Sequence, residues 1–312
     1  MHLLITGASG FIGRNLLQAI PGSWHVVATY NRSNDFVAFL ERKELRHVTP
    51  FSVDLAERGS GERIASLSRE FDACLFLAAN GDPARSVGDP RFDLASNTAT
   101  VLEVLHSVRI QRLVYVSSGA VYDGLKGEVS PHSAVDPSLP YAISKLASEH
   151  YVRHFAQSGR IGRGVSVRFF GAFGPYEPER KIYTRLVRRF AQERDPRFSI
   201  LGDGRNLIDA IYVDDATRAL VTILEEPESL AKYTTLDLSG GSPLTIIDLV
   251  RLAGRVFDLE PQITCSGSVP EYIQFWSGDR TMAGRYGFAP AVSLAEGLQR
   301  LAIYLAGIAI AP

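Results

Sequence analysis

Thr6-Gly7-Ala8-Ser9-Gly10-Phe11-Ile12-Gly13 stands between the apolar run His2-Leu3-Leu4-Ile5 and the helical pattern Arg14-Asn15-Leu16-Leu17. A strand before and a helix after distinguish it from the Gly-rich turns common in loops. Gly7 permits a tight turn, Gly10 lets a pyrophosphate approach the backbone, and Gly13 lets helix and strand pack closely. The helix amino terminus offers unpaired N–H groups to the anion, with Ser9, Phe11 and Ile12 beside it. The stretch predicts a dinucleotide site on the first turn of a doubly wound α/β fold.

Working outward, β-rich runs near residues 2–6, 25–30, 47–53, 73–79, 112–118 and 164–170 alternate with longer helical stretches. That alternation implies a parallel sheet covered by helices on both faces, a Rossmann domain. Cys74-Leu75-Phe76-Leu77-Ala78 and Leu113-Val114-Tyr115-Val116 are continuously apolar, as central strands must be. After Phe170 the chain turns to shorter, Gly-, Pro- and Arg-rich segments. The expected division is a dinucleotide-binding domain over 1–170 and a smaller α/β substrate domain over 171–312. Short strands at Ile211-Tyr212-Val213 and Thr235-Leu236-Asp237-Leu238 suggest a return to the first domain around 207–240.

Composition narrows the function. The 312 residues carry 33 Lys plus Arg against 34 Asp plus Glu, so no global field attracts nucleic acid or an anionic membrane. Two cysteines, Cys74 and Cys265, are too few for a disulfide framework or a four-cysteine zinc site. The seven histidines give one helical pair, His150 and His154, a spacing more common on surfaces than in metal sites, and no metal is expected. A strand directly after Met1 leaves no room for a signal peptide, so a cytoplasmic location is expected. The apolar end, Leu301 to Pro312, is about half the length of a membrane span and reads as a terminal helix packed on the body.

Cofactor choice is read after the second strand. An acid about 20 residues past the glycines suits the ribose 2′-hydroxyl of NAD, and an Arg there suits the 2′-phosphate of NADP. Here Asn31-Arg32-Ser33 occupies the position and Asp35, slightly late, competes, so NADP is favoured over NAD. Asp54-Leu55 ends the third strand, where a carboxylate can accept from the adenine amino group. Ala78-Ala79 ends the fourth with side chains small enough for the dinucleotide to lie against backbone.

Tyr141-Ala142-Ile143-Ser144-Lys145 places a phenol and an amine four apart on one helix face. A phenol ionises near pH 10, and a neighbouring ammonium is expected to draw that toward neutrality. Ser118 ends a central strand at the edge where open α/β sheets bind ligands. Its hydroxyl and that of Tyr141 can polarise a carbonyl while Tyr141 transfers the proton and Lys145 holds a ribose hydroxyl.

In this order the residues resemble the extended short-chain dehydrogenase/reductase family of nucleotide-sugar epimerases, dehydratases and reductases. The resemblance runs through the glycine motif, Asp54-Leu55, Leu77-Ala78-Ala79, Asn97, Ser117-Ser118-Gly119-Ala120-Val121-Tyr122 and Tyr141-x-x-x-Lys145. It continues through Arg168-Phe169-Phe170-Gly171, Gly202-Asp203-Gly204 and Tyr212-Val213-Asp214-Asp215. It implies catalytic roles for Ser118, Tyr141 and Lys145, and cofactor contacts extending to Asn97, Ser117 and Phe170. It also implies a homodimer paired through the helices near Asn97 to Arg109 and Tyr141 to Phe155.

The chain departs from the family's pattern at the substrate. Gly119 and Ala120 replace the Asp-Glu pair of the dehydratases, and neither can carry a proton. Ile208 and Trp276 stand where arginines clamp a diphosphate, and Gly171 where an Asn is usual. Arg205 is the leading substitute, ahead of Arg180, Lys181 and Arg280, and Gly119, Gly171, Arg205 and Trp276 are the candidate substrate residues. The reading that follows is an NADP-dependent oxidoreductase acting on a small molecule, a keto or secondary alcohol carbon of a nucleotide sugar. A nucleotide-sugar epimerase, a reductase of a non-nucleotide ketone or aldehyde, and a non-enzymatic dinucleotide-binding regulator are the alternatives.

Overall fold

The computed structural model describes residues 1–226, 231–267 and 273–307. β1 (His2–Thr6), β2 (His25–Tyr30), β3 (Val48–Ser52), β4 (Glu70–Phe76), β5 (Arg109–Ser118), β6 (Ile161–Phe169) and β7 (Tyr233–Leu238) build one seven-stranded sheet. Its order is β7-β6-β5-β4-β1-β2-β3, and every pair is parallel.

Successive side chains on these strands point to opposite faces, and both faces are covered. Leu3, Ile5, Val26 and Leu75 enter one core with Leu16 and Leu17 of α1 (Phe11–Ala19). Leu4, Val27, Cys74 and Leu113 enter the other with Val152 and Phe155 of α2 (Pro140–Gln157). α3 (Val213–Glu225) returns Ala216, Ala219, Leu220 and Ile223 to the first core, and β7 then pairs with β6. The strand order reverses between β1 and β4, which opens a crevice beyond their carboxyl ends.

Local chemistry moves some boundaries from the sequence expectation. The fourth strand runs over Glu70–Phe76 rather than 73–79, because Glu70 already pairs with Arg109. At its far end the Leu77 and Ala78 N–H groups turn to Thr6 Oγ1, at 3.1 and 3.2 Å. Ile211–Tyr212 pairs with Ala172–Phe173 instead of joining the large sheet.

A further core gathers Phe173, Leu186, Phe190, Phe198, Leu249 and Leu298. It lies under the helices Ile246–Val256 and Leu294–Leu305. The last helix therefore begins before Leu301, capped by Ser293 Oγ accepting from Glu296 N, and residues 308–312 of the expected terminal helix lie outside the described residues. Strand Gln274–Ser277 pairs with Lys126–Val129 and ties this part of the chain to the turn after β5. No helix among the described residues is long and apolar enough to cross a membrane.

Candidate active site

The glycine turn closes the crevice floor. Gly7 has φ of 66°, and a Cβ there would stand 2.8 Å from the Ala78 backbone, so turn and opposite strand end touch only because that side chain is missing. A Cβ on Gly13 would stand 2.4 Å from the Ala8 carbonyl oxygen, where α1 presses back on the turn that precedes it. α1 begins at Gly10 without a side-chain cap, so its first N–H groups are open to an anion. These features fit a dinucleotide pyrophosphate.

On the rim after β2, Asn31 and Arg32 are exposed. Asp35 is engaged by a residue the sequence reading passed over, Arg14. Its Nη2 donates to Ser33 Oγ (2.9 Å) and to Asp35 Oδ1 (2.8 Å). Asp54 Oδ1 accepts from Ala56 N at 3.0 Å. The Leu55 side chain is packed in the core, so toward the crevice it can offer only backbone. Ala78 is half-buried and Ala79 exposed.

Ser117 and Ser118 end β5 and face opposite ways. Ser117 donates to Glu149 Oε1 at 2.5 Å inside the protein, so its hydroxyl is turned from the crevice. Ser118 Oγ accepts from Ala120 N at 3.1 Å and starts the tight turn Gly119–Tyr122. On α2, Tyr141, Lys145 and Glu149 follow at four-residue spacing and share a face. Tyr141 is half-buried. Burial raises its pKa, and a hydrogen bond with the Ser118 side chain partly offsets the rise.

The expectation that Lys145 draws the phenol toward neutrality is corrected here. Lys145 is 4% exposed; its Nζ donates to the Val116 carbonyl at 2.9 Å and lies 6.0 Å from the Tyr141 ring centroid. The ammonium gives one of its three N–H groups to that carbonyl, and desolvation dominates at the phenol. Burial in turn pulls the Lys145 pKa down to about 8, against Asp93 and Glu149, which push it up.

Asn97 lies in a π-helical turn, Ala95–Ala99. Its Nδ2 donates to Asp93 Oδ1 (3.0 Å) and Ser144 Oγ (2.8 Å), and its Oδ1 accepts from Asn80 N (2.7 Å). Asn97 thus clamps the loop after β4 to α2, and its own side chain is used up in doing so. Arg168 and Glu149 form a buried ion pair at 2.9 Å beneath Ser117. Asp237 accepts from Tyr122 Oη and Ser277 Oγ, both at 2.8 Å. Burial raises its pKa to about 7. Glu149 lay one helical turn past Lys145, a spacing that could have found it. Asp237 and Asn80 carry no comparable signal.

Among the substrate candidates, a Cβ on Gly119 would stand 3.1 Å from the Phe170 ring, a contact tight enough that the ring would have to shift slightly. Gly171 has φ of 116°. Trp276 is half-buried and follows Phe275, which packs with Tyr122 and Val129. The Arg205 side chain is 80% exposed, with Asp203 3.8 Å away. Arg180 pairs with Asp82 at 3.4 Å and donates to the Gly81 carbonyl at 3.2 Å. Lys181 and Arg280 are exposed.

The sequence pattern described as the NAD dependent epimerase/dehydratase family matches residues 3–238. An uncharacterized UDP-glucose epimerase of Bacillus subtilis is 26% identical over 99% of both chains. A dTDP-glucose 4,6-dehydratase of Streptomyces griseus is 29% identical over 95% of this chain and 92% of its own. Among solved structures, the UDP-glucose 4-epimerase of Thermotoga maritima with UDP-glucose superposes with a TM-score of 0.85 at 25% identity, over 98% of this chain and 99% of its own. The UDP-glucuronic acid 4-epimerase of Bacillus cereus, in complex with UDP-glucuronic acid and NAD, shares the fold at a TM-score of 0.86 and 24% identity, over 98% of this chain and 99% of its own.

Proposed function

The chain belongs to the NAD dependent epimerase/dehydratase family, nucleotide-sugar enzymes of the extended short-chain dehydrogenase/reductase type, and from that premise we propose that it moves hydride between NADP(H) and a secondary alcohol carbon of a nucleotide sugar. The observation that carries this reading is the Tyr141 hydroxyl beside Ser118 at the end of β5, on the crevice edge of the sheet. Tyr141 removes the proton from the substrate hydroxyl or returns it to the developing alkoxide. Ser118 hydrogen-bonds the same oxygen and polarises the carbonyl. Lys145, with its pKa near 8, is an ammonium at neutral pH; it steadies the phenolate as it forms and binds a ribose hydroxyl. Bound nicotinamide supplies the hydride donor or acceptor.

Dehydration is disfavoured. Gly119 and Ala120 carry no acid or base that could serve an elimination. Exposed Asn31 and Arg32, where NAD enzymes carry an acid, favour NADP over NAD. Arg205, free to swing, is the substitute anchor for the diphosphate, with Trp276 against the sugar. Four exposed apolar residues, Val87, Leu94, Ile143 and Tyr151, favour a homodimer through their helices, checked by a sedimentation mass of two chains. The two free cysteines suit a cytoplasmic setting.

The test is turnover across a panel of nucleoside diphosphate sugars and their 4-keto derivatives, with NADPH and NADH. The expected result is cofactor oxidation that Tyr141→Phe slows by about 10²- to 10⁴-fold. No turnover on any member, with Tyr141→Phe indistinguishable from the parent, sinks the reading. A second reading, epimerisation without net redox change, is favoured by the likeness to the Thermotoga maritima enzyme. Cofactor retained through purification and turnover with none added decide for it.

A further inference from the structure

Four ionisable side chains lie buried around one face of α2: Asp93, Lys145, Glu149 and Arg168, none more than 4% exposed. Glu149 and Arg168 meet directly at 2.9 Å. A buried charge without a counter-charge is strongly destabilising, so the Lys145 ammonium needs a carboxylate of its own, and Asp93 is the one left. Asp93 lies on the short helix Pro90–Leu94. Its Oδ1 accepts from Asn80 Nδ2 (2.8 Å) and Asn97 Nδ2 (3.0 Å), and its Oδ2 from Ser144 Oγ (2.6 Å). Ser144 stands between Tyr141 and Lys145 on α2, and its Oγ is also 2.9 Å from the Tyr141 carbonyl oxygen. The carboxylate is thus pinned to the turn that presents both residues. Burial raises the Tyr141 pKa and Asp93 adds to the rise; burial lowers that of Lys145 and Asp93 resists the fall. The other charges facing this turn are Arg85, exposed and stacked on Phe92, and Asp237, beyond Arg168 on the next strand.

We propose that Asp93 is the counter-charge of Lys145 and, acting through Ser144, a positioning residue for the Tyr141–Lys145 pair, keeping the amine an ammonium while the phenol stays protonated. The inference rests on the roles given to Tyr141 and Lys145 above and adds the group that sets their charge states. The form held ready is the acid that reduction of a carbonyl calls for. Oxidation of an alcohol, which needs the phenolate, should therefore call for higher pH.

The experiment is an NMR titration of cofactor-free protein carrying carbon-13 at tyrosine Cζ and lysine Cε, with Tyr141→Phe and Lys145→Arg assigning the two signals. Lys145 should titrate near 8 in the parent. Asp93→Asn removes the charge and keeps the bonds: the amide oxygen accepts from Asn80 and Asn97, and the amide N–H donates to Ser144 Oγ, whose proton turns to the Tyr141 carbonyl. It should lower the proton affinity of both groups about tenfold. Ser144→Ala keeps the charge and cuts the bridge, so it should leave both affinities within about threefold of the parent and slow turnover about tenfold. Unmoved titrations in Asp93→Asn, or equal movement in Ser144→Ala, overturn the counter-charge. Should Asp93→Asn be too unstable to titrate, adding Lys145→Met, which leaves no unpaired charge, should restore its Tm; no recovery overturns the proposal equally. Titrations that move as expected while Tyr141→Phe leaves turnover untouched would remove the functional reading and leave the counter-charge in place.

Discussion

Glu149 is fully buried, and its charge is answered by Arg168 and by the Ser117 hydroxyl. Glu149→Gln leaves the Arg168 guanidinium buried without its counter-charge, so urea unfolding should show a loss of about 3–5 kcal/mol. The double variant Glu149→Met with Arg168→Met should recover most of that loss, since the cost is the unpaired charge and not the missing contact. A single variant no less stable than the double would contradict this. The same helix face explains what could be read at this scale. Tyr141 and Lys145 were legible because four-residue spacing fixes which side chains are neighbours. Their electrostatics were not, because the Lys145 ammonium is held by Val116 O, a backbone atom distant in sequence. Arg14 went unread for a related reason: a lone Arg in a first helical turn has no pattern until Phe39 and Tyr176 close over it.

The strands of the large sheet could be read from their continuous apolar runs, and the glycine turn from its place between strand and helix. That reading gave Gly13 a packing role, and the geometry makes it quantitative. A methyl group on Gly13 would lie 2.4 Å from the Ala8 carbonyl oxygen and 2.7 Å from the Ala8 Cα, both rigid backbone atoms. Gly13→Ala should therefore cost about 1–3 kcal/mol in chemical denaturation, as overpacking does, and weaken dinucleotide binding by displacing the helix amino terminus. Gly22→Ala is the control, because a Cβ there meets nothing within 4 Å. Equal effects from the two would mean that the close approach does not govern the site. Ile211–Tyr212 could be read as a short strand, but its pairing with Ala172–Phe173 could not. Strands so short have no period, and their partner is chosen by the packing of Phe173 against Tyr183 and Tyr212.

For the molecule as a whole, buried titratable groups set how stability follows pH. Burial raises Asp237 and Glu177 to about 7, against about 4 for each in an unfolded chain. Between those values the folded protein holds more protons than the unfolded one, so the stability these groups contribute is greatest at low pH and is lost as pH rises through 7. Lys145 behaves oppositely. Its pKa falls from 10.5 to about 8, so between those values the unfolded chain holds more protons and stability climbs as pH rises. Above pH 10 the buried hydroxyls of Tyr183 and Tyr122, both raised by desolvation, stay protonated while unfolded tyrosines ionise, and stability falls again. Scanning calorimetry of the cofactor-free protein should thus show Tm falling from pH 5 to 7, a trough between 7 and 8, and a rise toward 10. Asp237→Asn should flatten the limb between 5 and 7, because an amide has no proton to lose there. A limb of undiminished slope in Asp237→Asn, and again with Glu177→Gln added, would place the titration elsewhere.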